Sequence, residues 1–199
     1  MSYTLENFYR YIAPDVNECP MPVVEDAVRD AIITFCQRSS YWRLWLEDQI
    51  SVSQDDESVE LELPKNTRLV DVLGIQKVNS DGDYGDYLDK GSYVYAGFES
   101  TPQILFNVPA DEDFDARVRV ALRPDIDTDT VQDWVYEDFR DVICHGAKYR
   151  LLSMRSKAWY AQAESEFYRR HFKDAINRAA ALVALESVNT LAPKQAGYI

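Results

Sequence analysis

The residues best placed to do chemistry are the carboxylates of one short stretch, Asp81, Asp83, Asp86 and Asp89, interleaved with Gly82, Tyr84 and Gly85. Several carboxylate oxygens on a glycine-hinged loop would suit a hard cation such as calcium. The spacing does not. An EF-hand count begun at Asp81 puts Gly85 where a ligand belongs and Asp86 at the sharp-turn glycine, and one begun at Asn79 ends on Lys90 instead of the bidentate glutamate. A solvated hairpin tip is the expected use of the stretch, with no metal and no cofactor. The two histidines, His145 and His171, each lie within a helical pattern and have no His or Cys nearby at ligand spacing. Each reads as a packing or surface imidazole.

Nucleophile chemistry finds no better footing. There is no Gly-x-Ser-x-Gly, no phosphate-cradling Gly-x-x-x-x-Gly-Lys-Ser/Thr and no Gly-x-Gly-x-x-Gly. The cysteines, Cys19, Cys36 and Cys144, are odd in number and widely spaced, which points to reduced thiols rather than a disulfide frame or a zinc site. Carboxylates are abundant, so a glycoside hydrolase working through an acid pair stays open as a rival. Such a pair needs one acid in an apolar pocket, and no acid stands isolated between apolar neighbours. The expected catalytic set is therefore empty.

The elements that would position these residues divide the chain. Val131, Val135, Phe139, Val142, Ile143, Ala147 and Leu151 recur at three- and four-residue steps, as in an amphipathic helix, with Gly146 on the same stripe. Glycine costs a helix about 1 kcal/mol relative to alanine, so its expected use there is a close approach by a neighbour. A second helix follows a break at Ser156 to Lys157, with Tyr160, Ala163, Phe167, Phe172, Ala175, Ile176, Ala179, Leu182 and Val183 assigned to its buried stripe. A third comes from the other end of the chain, Val23 to Arg38, with Val24, Ala27, Val28, Ala31, Ile32, Phe35 and Cys36 facing inward. Ahead of it, Ser2 is expected to cap a short segment, Tyr3 to Ile12, followed by an extended connection to Pro22.

From Gln49 to Pro124 the period changes from 3.6 to 2, the mark of strands. Ile50 and Val52 are expected to form a hairpin with Val59, Leu61 and Leu63 across the acidic turn Gln54 to Ser58. Further strands are expected at Leu69 to Val78, Tyr93 to Ala96, Gln103 to Val108 and Arg117 to Leu122. In the last, Val118, Val120 and Leu122 face one way and Arg117, Arg119 and Arg123 the other. The predicted fold class is α+β: a helical bundle formed by the N- and C-terminal helices, residues 1–46 plus 128–188, with an inserted small antiparallel β-sandwich or barrel at 47–127. Residues 189–199, with Pro193 and Gly197, are expected to form an extended arm.

A net charge of −13 argues against general nucleic-acid binding, which depends on neutralising phosphates, but suits a wall past which DNA slides. Residues 1–12 lack the basic run and apolar core of a secretory signal, and no stretch approaches the roughly 18 apolar residues of a membrane span. A soluble protein made in the cytoplasm is expected. Trp42 and Trp45, in the cluster Tyr41, Trp42, Leu44 and Trp45, fit either a core plug or an interface anchor.

Three runs in this order carry a family likeness. They are Val24 to Arg43 (VEDAVRDAIITFCQRSSYWR), Val142 to Leu152 (VICHGAKYRLL), and Ala158 to Ala161 (AWYA) ahead of an alanine-rich helix. Together they resemble the head-to-tail adaptor, or connector, proteins of tailed bacteriophages, from about residue 20 to 185. The resemblance implies a structural virion protein of the neck, without enzymatic activity. It implies a ring, dodecameric in that family, bound beneath the portal protein, contacting a tail or stopper protein, and passing double-stranded DNA without reading it. The C-terminal arm, with Thr190, Leu191, Pro193, Lys194, Gln195, Tyr198 and Ile199, would dock on the portal. A ring subunit needs two complementary faces. Arg117, Arg119 and Arg123 on one strand, set against Asp55 to Glu57 and the Asp81, Asp83 and Asp86 stretch, could supply them, with Trp42 and Trp45 as further inter-subunit candidates. The same arginines could equally pair within their own sheet. Other neck components, a stopper or a tail terminator, share the ring habit.

Overall fold

The structure is a computed structural model and describes residues 3–79, 81–96 and 101–191, with side chains to residue 186. It is an α+β fold in which the N- and C-terminal helices pack together, with antiparallel sheets, including a curled half-barrel, between them in the chain. Two compact units result, residues 1–41 with 126–199 and residues 42–125.

The helical unit begins with strand β1 (Tyr3–Thr4), a turn of 3-10 helix at Leu5–Phe8 and helix α1 (Tyr9–Ile12). Thr4 rather than Ser2 opens this segment: its N–H donates to Asn7 Oδ1 at 2.7 Å, and Ser2 lies outside the described residues. Helix α2 (Met21–Ser39) starts two residues earlier than its apolar pattern, with Pro22 in the first turn, where a missing N–H costs nothing. All seven residues expected to face inward from it are buried. Ser40 ends the helix in the left-handed region (φ 50°), returning its N–H to the Cys36 carbonyl at 2.9 Å.

The β unit follows. Its strands are β2 (Arg43–Trp45), β3 (Ile50–Val52), β4 (Ser58–Glu60), β5 (Thr67–Val78), β6 (Tyr84–Tyr87), β7 (Tyr93–Ala96), β8 (Gln103–Phe106) and β9 (Phe114–Pro124). One sheet runs β2-β9-β5-β6, with β3 paired further along β9; the other runs β4-β8-β7. The long β5/β9 ladder is broken by register shifts at Leu69/Asp71 and Val72/Gly74, and such bulges curl a sheet. Val52, Leu61, Ile75, Ile104, Val118, Val120 and Leu122 fill the core that the two sheets share.

The chain then returns to the helical unit. Strand β10 (Thr130–Val131) pairs with β1, and α3 (Asp133–Leu152) and α4 (Gln162–Leu191) complete the bundle. Gly146 meets the close approach its position implies. A Cβ built there would stand 2.8 Å from Phe172 Cζ on α4 and 2.9 Å from Ala31 Cβ on α2.

Several expectations fail for identifiable reasons. Ile50–Val52 and the Val59 segment do not form a hairpin: β3 pairs with β9 (Ile50 opposite Ala116) and β4 with β8 (Val59 opposite Ile104), in different sheets. Alternation shows which residues are half-buried but not which strand covers them. Val131 belongs to β10, not to the helix. Helix α4 begins at Gln162, so Tyr160 lies before it, and it runs on to Leu191, which makes residues 189–191 helical rather than extended. Phe167 and Leu182, assigned to its buried stripe, are 49% and 55% exposed.

Candidate interaction surfaces

The outer face of β9 carries the arginines, as the alternation requires, since Val118, Val120 and Leu122 are wholly buried. Arg117 is built into its own sheet. Its Nε and Nη2 donate to Gln76 Oε1 at 3.0 and 2.6 Å, and Gln76 Nε2 donates in turn to the Gly85 carbonyl at 2.9 Å. The guanidinium lies over the Trp45 ring at 4.0 Å and the Tyr84 ring at 3.3 Å, cation–π contacts at close range. Arg117 thus ties β9, β5, β6 and β2 to one another. Arg119 stands 6.0 Å from the Trp45 ring, and Arg123 Nη1 donates to the Pro124 carbonyl at 3.2 Å; both stay partly exposed.

The two tryptophans lie in different surroundings. Trp42 packs against the β core, whereas Trp45 lies on the arginine face with Tyr87, ring centroids 6.3 Å apart. Asp81 and Asp83 occupy the tip of the β5–β6 hairpin, where Gly82 takes a left-handed φ of 80° and Asn79 N–H closes the turn onto the Asp83 carbonyl at 2.8 Å. Asp86 lies on β6, a strand hidden in the sequence by its acidic, glycine-containing composition. All three carboxylates are exposed.

A polar groove of about 560 Å³ crosses β3, β9 and β5 and is lined by Ser51, Lys77, Glu112, Asp113, Phe114 and Asp115, among others. Lys77 is already engaged there, paired with Glu112 at 2.8 Å and 4.5 Å from the Phe114 ring centroid. Small-molecule sites of this size are mostly apolar with a few polar groups, so this groove is built differently. Asp71, a carboxyl that burial pushes upward against the opposing pull of Lys90, does not line it.

The bundle brings together the two histidines, which sequence spacing could not do. The His145 ring on α3 stands 5.6 Å from that of His171 and 5.4 Å from that of Tyr168, both on α4. Lys148 and Tyr168 meet Asp15 at 2.5 and 3.4 Å beside them. Burial, then His171 and Lys148, pull the His145 pKa below its usual value against the smaller effect of Asp141. Between that lowered value and about 6.5, the unfolded chain holds more protons than the folded one, so stability rises with pH through that window and is lost as pH falls through it. Melting curves from pH 7.5 to 5 are expected to fall more steeply for the native chain than for His145→Gln. Equal slopes would remove His145 as the cause. Among the described residues, no group of three or more His, Cys, Asp or Glu side chains is arranged to hold a metal ion. The three cysteines are buried and free, and burial pushes the Cys144 thiol up to about 12.

Of the expected docking arm, Thr190 and Leu191 end α4, and Pro193, Lys194, Gln195, Tyr198 and Ile199 lie outside the described residues. No helix among the described residues is long and apolar enough to cross a membrane. No protein-family model matches the chain, and a search of curated proteins finds no significant relative.

Proposed function

We propose that this chain is a structural component of a phage neck, a head-to-tail adaptor whose copies form a ring beneath the portal and surround the passing DNA. The observation that carries this reading is the division of the chain. Residues from both ends build one helical unit, and a β unit is inserted between them, the plan implied by the likeness of the Val24–Arg43 and Val142–Leu152 runs to connector proteins. The charge of −13 supports it, because a strongly acidic lumen repels a polyanion and lets it slide. The rings of Trp45 and Tyr87, with Arg119 beside them, give the β unit an aromatic and cationic face of the composition enriched at protein contacts.

The test is to mix the purified chain with the portal protein of the same phage and image the product by electron microscopy. A ring of this chain seated on the portal is expected, including where the free chain is monomeric, because the template raises the effective concentration of weakly associating subunits. Failure of two folded proteins to associate would reject the reading. A ring that binds the tail end of the neck instead would mark a stopper or tail terminator. Removing residues 192–199 is expected to weaken portal docking and leave the melting temperature unchanged. Undiminished docking would take the portal contact away from those residues.

A further inference from the structure

Helix α4 has two faces, and among the described residues only one of them is buried. Ser165, Phe172, Ala175, Ile176, Ala179 and Val183 are buried in the bundle. On the opposite side Phe167, His171, Asp174, Arg178, Ala181 and Leu185 follow one another at steps of four, three, four, three and four, and all six are exposed. Phe167 is 49% and Leu185 63% exposed. This is the spacing of a coiled-coil seam, a stripe that stays in line with a second helix over about 27 Å of axis. Ala179 to Leu185 is also apolar at every position, and a helix stretch apolar all round is one that is covered on all sides.

The order of residue types along the seam selects the occupant. Reversed, the seam complements itself: Phe167 falls opposite the partner's Leu185, His171 opposite the partner's Ala181, and Asp174 opposite the partner's Arg178, with each pair repeated across the twofold axis. A parallel in-register copy would set Asp174 against the partner's Asp174 and Arg178 against the partner's Arg178. On α4 Arg169 pairs with Glu166 at 2.7 Å, while neither Asp174 nor Arg178 has an ion-pair partner among the described residues. We infer that the exposed seam of α4 is a homodimer interface, in which a second copy of this chain packs its own α4 antiparallel, with apolar pairs at both ends and two Asp174–Arg178 ion pairs at the centre.

Such a contact uses the same patch on both subunits and therefore joins no more than two through this face, leaving other faces for ring contacts. It does not rest on the adaptor reading, and portal binding could fail while the pair stands.

Sedimentation over a concentration series tests it with the full chain, Asp174→Arg, Arg178→Asp, and both together. The native chain is expected to form a dimer. Each single reversal should weaken the dissociation constant at least about tenfold, by placing like charges opposite one another. The double reversal should restore it to within about threefold. The two single variants, mixed, should pair with each other although neither pairs with itself, because one then presents two cations and the other two anions. Both substituted positions are exposed, and circular dichroism melts check that the fold is kept. A native chain still monomeric at ~100 µM would overturn the inference, including the case in which residues 192–199 cover the seam in cis. So would a dimer insensitive to the reversals, or single variants that do not pair on mixing.

Discussion

Replacing Gly146 by leucine is expected to lower the melting temperature of the helical unit by about 2–12 °C. Overpacking a core costs about 1–3 kcal/mol and at times more, and each kcal/mol moves the midpoint of a chain this size by roughly 2–4 °C. The informative variant is the smaller one. Gly146→Ala gains up to about 1 kcal/mol of helix propensity, so at an uncrowded position it would stabilise. Here the added Cβ would stand 2.8 Å from Phe172 Cζ and 2.9 Å from Ala31 Cβ. The Phe172 ring tip can swing aside, whereas the Ala31 methyl is fixed to the backbone of α2. Gly146→Ala should therefore melt below the native protein. Combining it with Ala31→Gly should recover more than additivity allows, a coupling above about 0.5 kcal/mol. If Gly146→Ala melts higher, the three helices do not meet where the structure places them.

Arg117→Ala is the second large effect expected, a loss of about 2–3 kcal/mol in the β unit. Hydrogen bonds to a charged group contribute about 1.5–3 kcal/mol, and truncation leaves the carboxamide oxygen of the buried Gln76 without its donor. The contacts over Trp45 and Tyr84 are lost as well. Lysine should recover little, since an ammonium cannot make the two-pronged approach to Gln76 or stack flat between the rings. Denaturant unfolding followed by tryptophan fluorescence reads the change. Were Arg117 held for a neighbouring subunit, the same substitution would leave unfolding untouched and weaken only association.

What could be read in advance was whatever a single element decides for itself. The inward stripe of α2 was legible residue by residue because burial on one face of a helix repeats along the chain. Gly146 was legible because a glycine on such a stripe has few other uses. Pairing between strands was not. Ile50 and Val52 alternate like Val59 and Leu61, and nothing local distinguishes a hairpin partner from Ala116, far along the chain. Strand β6 leaves no mark in the sequence pattern because Asp86 and Gly85 are poor strand formers, kept extended by β5 and by the Gln76 bond to the Gly85 carbonyl. Alternation along β9 shows Arg117 facing outward, but its partners come from three other strands. In α4 the failure had another cause: apolar residues lie on two faces, and a stripe read as one set merged Phe167 and Leu182 with residues that point the opposite way. The meeting of His145 with His171 depends on how α3 and α4 pack, which no spacing records.

The split helical unit has a consequence for how the protein is made. Ala31 leaves the ribosome about 115 residues before Gly146 and about 141 before Phe172, which at 5–20 residues per second is a wait of roughly 6–28 s. The β unit is complete in sequence once Asp125 has been added, while α2 still lacks both helices that cover it. Nascent chains therefore pass through an interval in which the inserted unit can close and Val24, Val28, Ile32 and Phe35 remain open to solvent. That exposed stripe is the part of the newborn polypeptide that chaperones or aggregation would find first.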